Sequence, residues 1–225
     1  MRICIDPGHG GRDPGAVVDD VREADIVLQY ALVLRPELEQ RGHRVMLTRE
    51  TDVFVPLVER AVLSNRFEAD CFVSLHTNAS TNLAAHGFKA FHARGSTRGK
   101  GLAQAIFLEV YPAGPPAGSR ARVTSDQTVS TGYTLAAQAY ARSLPASLSW
   151  AERDRMVREK FGERAAYRAL TVLRRTVAPA VLLELAFLTF PEKGQKLQDP
   201  QTMAKLRLAV AGGVDEWQAG GGMES

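Results

Sequence analysis

The sequence predicts an α/β fold, a single domain on a mostly parallel sheet with helices on its faces. Two observations predict it. Short apolar runs of strand type alternate with segments of helical periodicity along most of the 225 residues, the pattern of strand–crossover–strand units. No self-similar period interrupts the alternation, which sets aside solenoids and propellers. The length suits one domain or one domain with an insertion. An apolar fraction of 45% is enough for a core without disulfide staples.

The elements follow in order. Arg2–Ile5 reads as a buried strand entered directly from the N-terminus. Asp25–Gln40 reads as a helix with Ile26, Val27, Tyr30, Leu34 and Leu38 on one face. Pro36 lies inside that pattern and is expected to kink or split it, and Gly42 ends it. His43–Thr48 alternates with period two and reads as a second strand. Pro56–Phe67 reads as a helix with proline in its first turn. Cys71–Leu75 is a third strand, Gly87–Phe91 a fourth at an edge, and Ser96–Val110 a helix. Ala180–Leu185 is the last strong strand and Gln201–Trp217 the closing helix.

Tyr111–Lys160 breaks this rhythm. It opens with YPAGPPAGS, a loop by composition, and closes with the charged run AERDRMVREK. It is too long for a simple connector. Residues 111–160 are read as an insertion near the active site (a lid, a substrate-binding wall or a plug), with a solvated surface excursion as the equal alternative. Residues 1–217 then form the folded unit, and 218–225 a flexible tail.

Net charge is +3 and the pI is about 9.0. That favours an anionic surface but is too weak to argue for nucleic acid, and no aromatic-interleaved basic patch is present. No run approaches the ~18 apolar residues of a membrane span. Neither nucleic acid nor membrane is therefore an expected partner. The N-terminus shows no charged-then-apolar leader. The expectation is either a chain whose leader has been removed or a protein released by host lysis. Cys4 and Cys71 lack paired C-x-x-C spacing and read as small buried hydrophobes, close together if their strands are neighbours.

The chemistry begins with ICIDPGHGGRDPG, a strand running into a glycine-rich turn around His9. A second strand, CFVSLH, also ends on a histidine, His76. One histidine after a strand is commonly a solvated turn residue. Two in equivalent places point to a metal site, because ligands bind beyond the carboxyl ends of strands in open α/β sheets. The glycines are expected to hold His9 at the strand end and to leave room for substrate. A catalytic zinc takes three protein ligands and keeps a fourth position open. Glu23, just before the first helix, fits the third place. Asp19 and Asp20 compete with it, and Glu23 would also serve as charge compensation at a helix N-terminus.

Glu184 is the candidate proton shuttle. It lies in the otherwise apolar run PAVLLELAFLTF, where an unpartnered carboxylate is costly. A carboxylate at a strand end that takes a proton from the attacking water has a reason to be there. Thr77 and Asn78, just past His76, are candidate substrate contacts. His43 reads as solvated. His86 and His92 flank the fourth strand, where one of them could reach substrate. Arg49 and Asp52 read as loop braces acting through ion pairs.

These segments together resemble a known family. IDPGHGGRDPGA, a glutamate shortly before a helix, LTRETD, FVSLHTNAS and PAVLLELAFLTFPEKGQKL occur in the order seen in zinc-dependent N-acetylmuramoyl-L-alanine amidases of the amidase-3 type. The resemblance covers Arg2–Phe91 and Glu163–Trp217. It implies a twisted sheet of about six strands, one zinc ion held by His9, Glu23 and His76, and Glu184 as the catalytic glutamate. It selects Glu23 over Asp19 and Asp20, which spacing alone does not. The implied reaction is hydrolysis of the amide between N-acetylmuramic acid and L-alanine in peptidoglycan, at the bacterial wall, in wall remodelling or as a phage lysin. A monomer is expected. In the family a helix sometimes covers the zinc and is moved by an activator protein, so an activator enters as a candidate partner. Two positions depart from the family pattern: Ala186 replaces a glycine, and Phe190 stands where asparagine is expected. The competing readings are a zinc peptidase cutting within the stem peptide and a non-catalytic wall-binding module.

Overall fold

The computed structural model describes residues 1–80, 82–126, 170–190 and 199–222, with 143–145, 152, 155, 156, 159, 160 and 197. Its strands are β1 (Arg2–Pro7), β2 (Val17–Val18), β3 (Val21–Arg22), β4 (Arg44–Leu47), β5 (Cys71–Asn78), β6 (Lys89–His92), β7 (Arg122–Ser125) and β8 (Ala180–Phe187). Its helices are α1 (Glu23–Gln40), α2 (Leu57–Arg66), α3 (Thr97–Val110), α4 (Thr171–Arg175) and α5 (Pro200–Ala219). Six strands form one sheet in the order β4-β1-β5-β8-β6-β7, while β2 and β3 form a separate antiparallel ribbon. All pairings in the large sheet are parallel except β6 against β8. The expected six-stranded, mostly parallel architecture is what the chain adopts.

Strand side chains alternate between faces, and the two faces carry separate cores. Ile3, Ile5, Val73, Leu75, Val181 and Leu183 pack with residues of α1, α3 and α5. Cys4, Phe72, Phe91 and Leu182 pack with Val172 and Leu173 of α4. The central strands are buried on both faces, which is why they read as continuous apolar runs. Cys4 and Cys71 sit on adjacent strands but in opposite cores. They are free thiols, each pushed up in pKa first by burial.

Several boundaries differ from the sequence reading. Helix α1 begins at Glu23, two residues early, with no side-chain cap. Its first donors go to the preceding loop instead: Glu23 N to Ala16 O at 2.8 Å and Ala24 N to Pro14 O at 3.1 Å. Pro36 does not split the helix. Pro36 and Leu32, whose carbonyl loses its helical partner to the proline, both lie on the exposed side, where water can satisfy that oxygen. Helices α3 and α5 are capped by Ser96 and Asp199, which accept from Gly99 N and Thr202 N.

Four elements were not expected: the two strands of the β2–β3 ribbon, strand β7 and helix α4. Strand β7 falls inside 111–160 and completes the sheet edge. It is four residues long among glycines, prolines and serines, too short to register as a pattern. Most of the rest of 111–160 lies outside the described residues. Helix α4 has only five residues, less than two turns of periodicity. Beyond α5, Gly222 accepts from Arg98 Nε at 2.9 Å, which ties the chain end to α3. His43, expected in solvent, is instead buried and bonded through Nε2 to Asp215 Oδ1 at 2.8 Å. The end of α5 covers it. No helix among the described residues is long and apolar enough to cross a membrane.

Candidate active site

The site lies beyond the carboxyl ends of β1, β5 and β8, three neighbouring parallel strands. Past β1 the chain stays paired for one residue, with Gly8 N bonded to Leu75 O at 3.0 Å. His9 then adopts φ 59°, a left-handed conformation uncommon outside glycine. Gly10 and Asp13 close the following turn with reciprocal backbone bonds of 2.7 and 3.1 Å. Asp13 Oδ2 lies 3.0 Å from His9 Nδ1. That bond orients the ring through Nδ1 and turns Nε2 toward Glu23 and the site.

Glu23, the first residue of α1, is delivered by the bonds that dock the loop onto the helix. Its Oε1 stands 3.3 Å from His9 Nε2 and 3.1 Å from His76 Nδ1 and accepts from Thr77 N at 2.8 Å. Its Oε2 accepts from Ala16 N at 2.9 Å. One atom from each of His9, Glu23 and His76 falls within 4.8 Å of the others. Asp19 and Asp20 are outside this group. They are exposed on the β2–β3 turn, at φ 48° and 65°.

The cluster fits a tetrahedral zinc. Metal–ligand bonds of about 2.0–2.1 Å place tetrahedral ligand atoms roughly 3.3 Å apart, and the two Glu23–histidine separations are 3.1 and 3.3 Å. The electrostatics agree. Burial alone would raise the Glu23 carboxyl, but the two imidazoles hold it far below the ordinary carboxylate range. Burial alone would lower His9, but Asp13 and Glu23 lift it to about 10. The pocket is therefore one that gathers positive charge.

Glu184 faces the same region. It is the register partner of His76 in the β5–β8 ladder, and parallel partners project from the same face. The residue as a whole is partly exposed, yet its Oε2 is sealed and has no hydrogen-bond partner among the described residues. Burial, and next the charge of Glu23, push its carboxyl up to about 8, against opposing pulls from Lys89 and His9.

A profile of the N-acetylmuramoyl-L-alanine amidase family matches residues 3–216, running across the middle segment as well. The chain belongs to this amidase family. It is 30% identical over 223 residues to the N-acetylmuramoyl-L-alanine amidase AmiC of Neisseria meningitidis, covering 96% of this chain and 52% of that one. It is 30% identical over 227 residues to AmiA of Escherichia coli K12, covering 94% and 74%. The chain thus spans about half of one relative and about three quarters of the other. Among solved structures, the amidase of Clostridium difficile 630 superposes with a TM-score of 0.72 at 26% identity, covering 97% of this chain and 96% of that one.

The site rests on two buried arginines. Arg60 meets Asp6 at 2.7 Å and donates to Pro7 O and His9 O at 2.6 Å each. Asp6 also accepts from Thr48 Oγ1 and Ser74 Oγ at 2.6 and 2.7 Å. Arg49 braces the loop as expected, but through carbonyl oxygens of Pro7, Gly8, Thr51 and Ala24 rather than an ion pair. Asp52 does form one, with Arg22 at 3.1 Å. Sequence reasoning missed Asp6 and Arg60. The signal was present: Asp6 is a carboxylate at the end of an apolar strand, the pattern that singled out Glu184.

The remaining candidate positions sort by the end of the sheet they occupy. Asn78 is half-buried, with Oδ1 accepting from Ala79 N at 2.9 Å. The Thr77 hydroxyl is buried without a partner among the described residues. Between His76 and Asn78 the β5–β8 register shifts by one residue, at Leu185–Ala186. Phe190 stacks on His86 at 5.2 Å. Lys89, also unanticipated, is buried opposite Glu184 in the β6–β8 ladder, its ammonium 4.7 Å from the Phe187 ring centroid. His92 pairs with Val181, at the far end.

Proposed function

We propose that this chain hydrolyses the amide joining the lactyl group of N-acetylmuramic acid to the L-alanine of the peptidoglycan stem, at the bacterial cell wall. In this reading His9, Glu23 and His76 hold one zinc ion. The observation that carries it is the pairing of that cluster, at zinc-compatible separations, with the unpartnered Oε2 of Glu184 on the neighbouring strand.

Zinc bound there supplies a Lewis acid for the scissile carbonyl and lowers the pKa of the attacking water. The protein does the rest. Asp13 fixes the His9 ring, and the Thr77 and Ala16 amides fix the Glu23 carboxylate. Glu184 takes the water's proton on its free oxygen as general base, then returns it to the departing L-alanine nitrogen as general acid. Asn78, two residues past His76, contacts substrate. Residues 1–217 form the catalytic unit, in keeping with the matched span 3–216, and a monomer suffices because one chain supplies all four residues. An activator protein completes the partners in this reading.

The test is digestion of purified peptidoglycan with zinc content measured in parallel. New free N-terminal L-alanine is expected. Glu184→Ala loses turnover and keeps zinc, while His9→Ala loses zinc. New N-termini from within the stem instead would establish a zinc peptidase. Zinc binding with no release of any product would leave only a wall-binding module.

A further inference from the structure

Arg12 stands at the tip of the turn that carries His9. Gly10 and Asp13 close that turn, Gly11 N donates to Asp52 Oδ1 at 2.7 Å, and Arg22 donates to Gly11 O at 3.3 Å. The tip is thus fixed from both sides, and fixed relative to His9, because Asp13 also orients that ring. The neighbouring cations Arg22, Arg49 and Arg60 are all engaged by carboxylates or carbonyls. Arg12 is exposed, and among the described residues its contact is aromatic: the guanidinium carbon lies 4.2 Å from the Phe54 ring centroid.

Phe54 belongs to an apolar surface of unusual exposure. Val53, Leu57 and Val58 are 47%, 51% and 49% exposed, and Phe54 is 37% exposed. Four large apolar side chains left in water so near one another in sequence, beside the turn that carries His9, are the material of a binding surface. The ring contact occupies none of the Arg12 N–H donors. Those donors form the edge that grips a carboxylate through two parallel bonds.

The geometry points to a subsite for the peptidoglycan stem peptide: Arg12 takes a stem carboxylate, and Phe54 with Val53, Leu57 and Val58 takes the adjoining methyl and methylene groups. The inference rests on the amidase reading and names the part of that substrate held beside the metal loop. The stem suits this surface because it alternates alanyl methyls with acidic residues. Its second residue is linked through the side-chain carboxyl, which leaves an α-carboxylate one residue from the scissile amide.

Three muramoyl-tripeptides test it: one with all carboxylates free, one amidated at the second residue's α-carboxylate, one amidated at the C-terminus. The zinc-loaded chain is expected to lose about tenfold in kcat/KM on the substrate whose gripped carboxylate is amidated, the scale of one charge-assisted pair. Arg12→Gln is expected to lose about as much on the free acid, through KM and with wild-type zinc content, and to stop responding to amidation; Arg12→Lys retains part of the response. An Arg12→Gln chain that keeps the wild-type preference, or a wild-type chain indifferent to both amidations, overturns the subsite. Calorimetric binding of the same tripeptides to Glu184→Gln separates this from the amidase reading. Arg12-dependent, charge-dependent binding with no cleavage by the wild type overturns the chemistry alone, and cleavage without charge dependence overturns the subsite alone.

Discussion

Gly8 lies flat against the imidazole of His76. A Cβ on Gly8 would come within 2.3 Å of His76 Cε1 and 2.5 Å of Nε2, a contact that real side chains do not make. Gly15 stands in the same relation to the other two members of the cluster, where a Cβ would meet Glu23 Oε2 at 2.7 Å and His9 Cδ2 at 2.8 Å. These two glycines make room for the His76, Glu23 and His9 side chains themselves. Gly8→Ala is therefore expected to push the His76 ring off its position. The chain should fold, with far-ultraviolet dichroism like the wild type, while zinc affinity falls by about 10-fold or more, the scale set by disturbing ligand orientation. Unchanged affinity in a zinc competition titration would show that the ring has another place to lie.

Asp13 and His9 make the metal cluster pH-dependent. With zinc absent, His9 holds its proton up to about pH 10, because Asp13 and Glu23 outweigh the effect of burial. Zinc must displace that proton, so each bound ion releases one proton at neutral pH. Affinity is expected to rise about tenfold per pH unit between pH 6 and 9, measured against a chromophoric chelator of known proton affinity. Asp13→Ala removes both the orienting bond and the main support for the proton. That variant should bind zinc about 10–100-fold more weakly at high pH and show a shallower pH slope. An equally steep slope would place the released proton elsewhere.

Glu184 is expected to weaken the metal-free fold as pH rises past neutral. Its folded-state pKa, about 8, lies above the ordinary 4.5, so the folded state binds the proton more tightly than the unfolded chain. Below about pH 4 the carboxyl is protonated in both states and contributes nothing. As pH rises toward 8 the folded state loses stability relative to the unfolded chain, on the order of a few kcal/mol at about 1.4 kcal/mol per unit. Glu184→Gln, stripped of zinc, should thus melt higher than the stripped wild type at pH 8.5 and level with it at pH 4. The same variant should lose about 10²–10⁴ in turnover, the range for removing a general base. A gain in stability independent of pH would trace it to packing rather than charge.

The fold and the gathering of His9, His76 and Glu184 at one end of the sheet were legible for one physical reason: the central strands are buried on both faces, so their apolar runs stand out and any polar residue at their ends is conspicuous. His9, His76 and Glu184 are such residues. Glu23 was legible only by resemblance, since nothing in its spacing separates it from Asp19 and Asp20. What separates them is the docking of loop 14–16 onto the first turn of α1, a tertiary event. His43 was misread for a related reason. A residue that opens an edge strand looks solvated until α5, some 170 residues later, closes over it. Strand β7 and helix α4 are too short to carry a period. Lys89 lies in a run whose alternation is blurred because β6 is buried throughout.

Asp6 and Arg60 carry the last prediction. The pair is buried at the base of the His9 turn, 2% and 1% exposed at Arg60 and Asp6. Burial alone would raise the Asp6 carboxyl, but the Arg60 guanidinium, with bonds from Thr48 and Ser74, holds it below the ordinary range. The folded state therefore releases this proton more readily than the unfolded chain. Its contribution is present above the unfolded carboxylate pKa, about 3.9, and is lost as pH falls through the lower folded value. Arg60→Met reverses the sign. Asp6 is left buried and unpaired, a loss of about 3–5 kcal/mol at neutral pH, and protonation now relieves the strain instead of adding to it. In metal-free protein the gap between wild type and Arg60→Met, read by urea denaturation, should be widest near pH 7 and narrow toward pH 3.5. Adding Asp6→Asn to Arg60→Met should recover part of the neutral-pH loss. A gap that stays constant across that range would mean that Arg60 acts through the Pro7 and His9 carbonyls it holds, and that the charge of Asp6 is incidental.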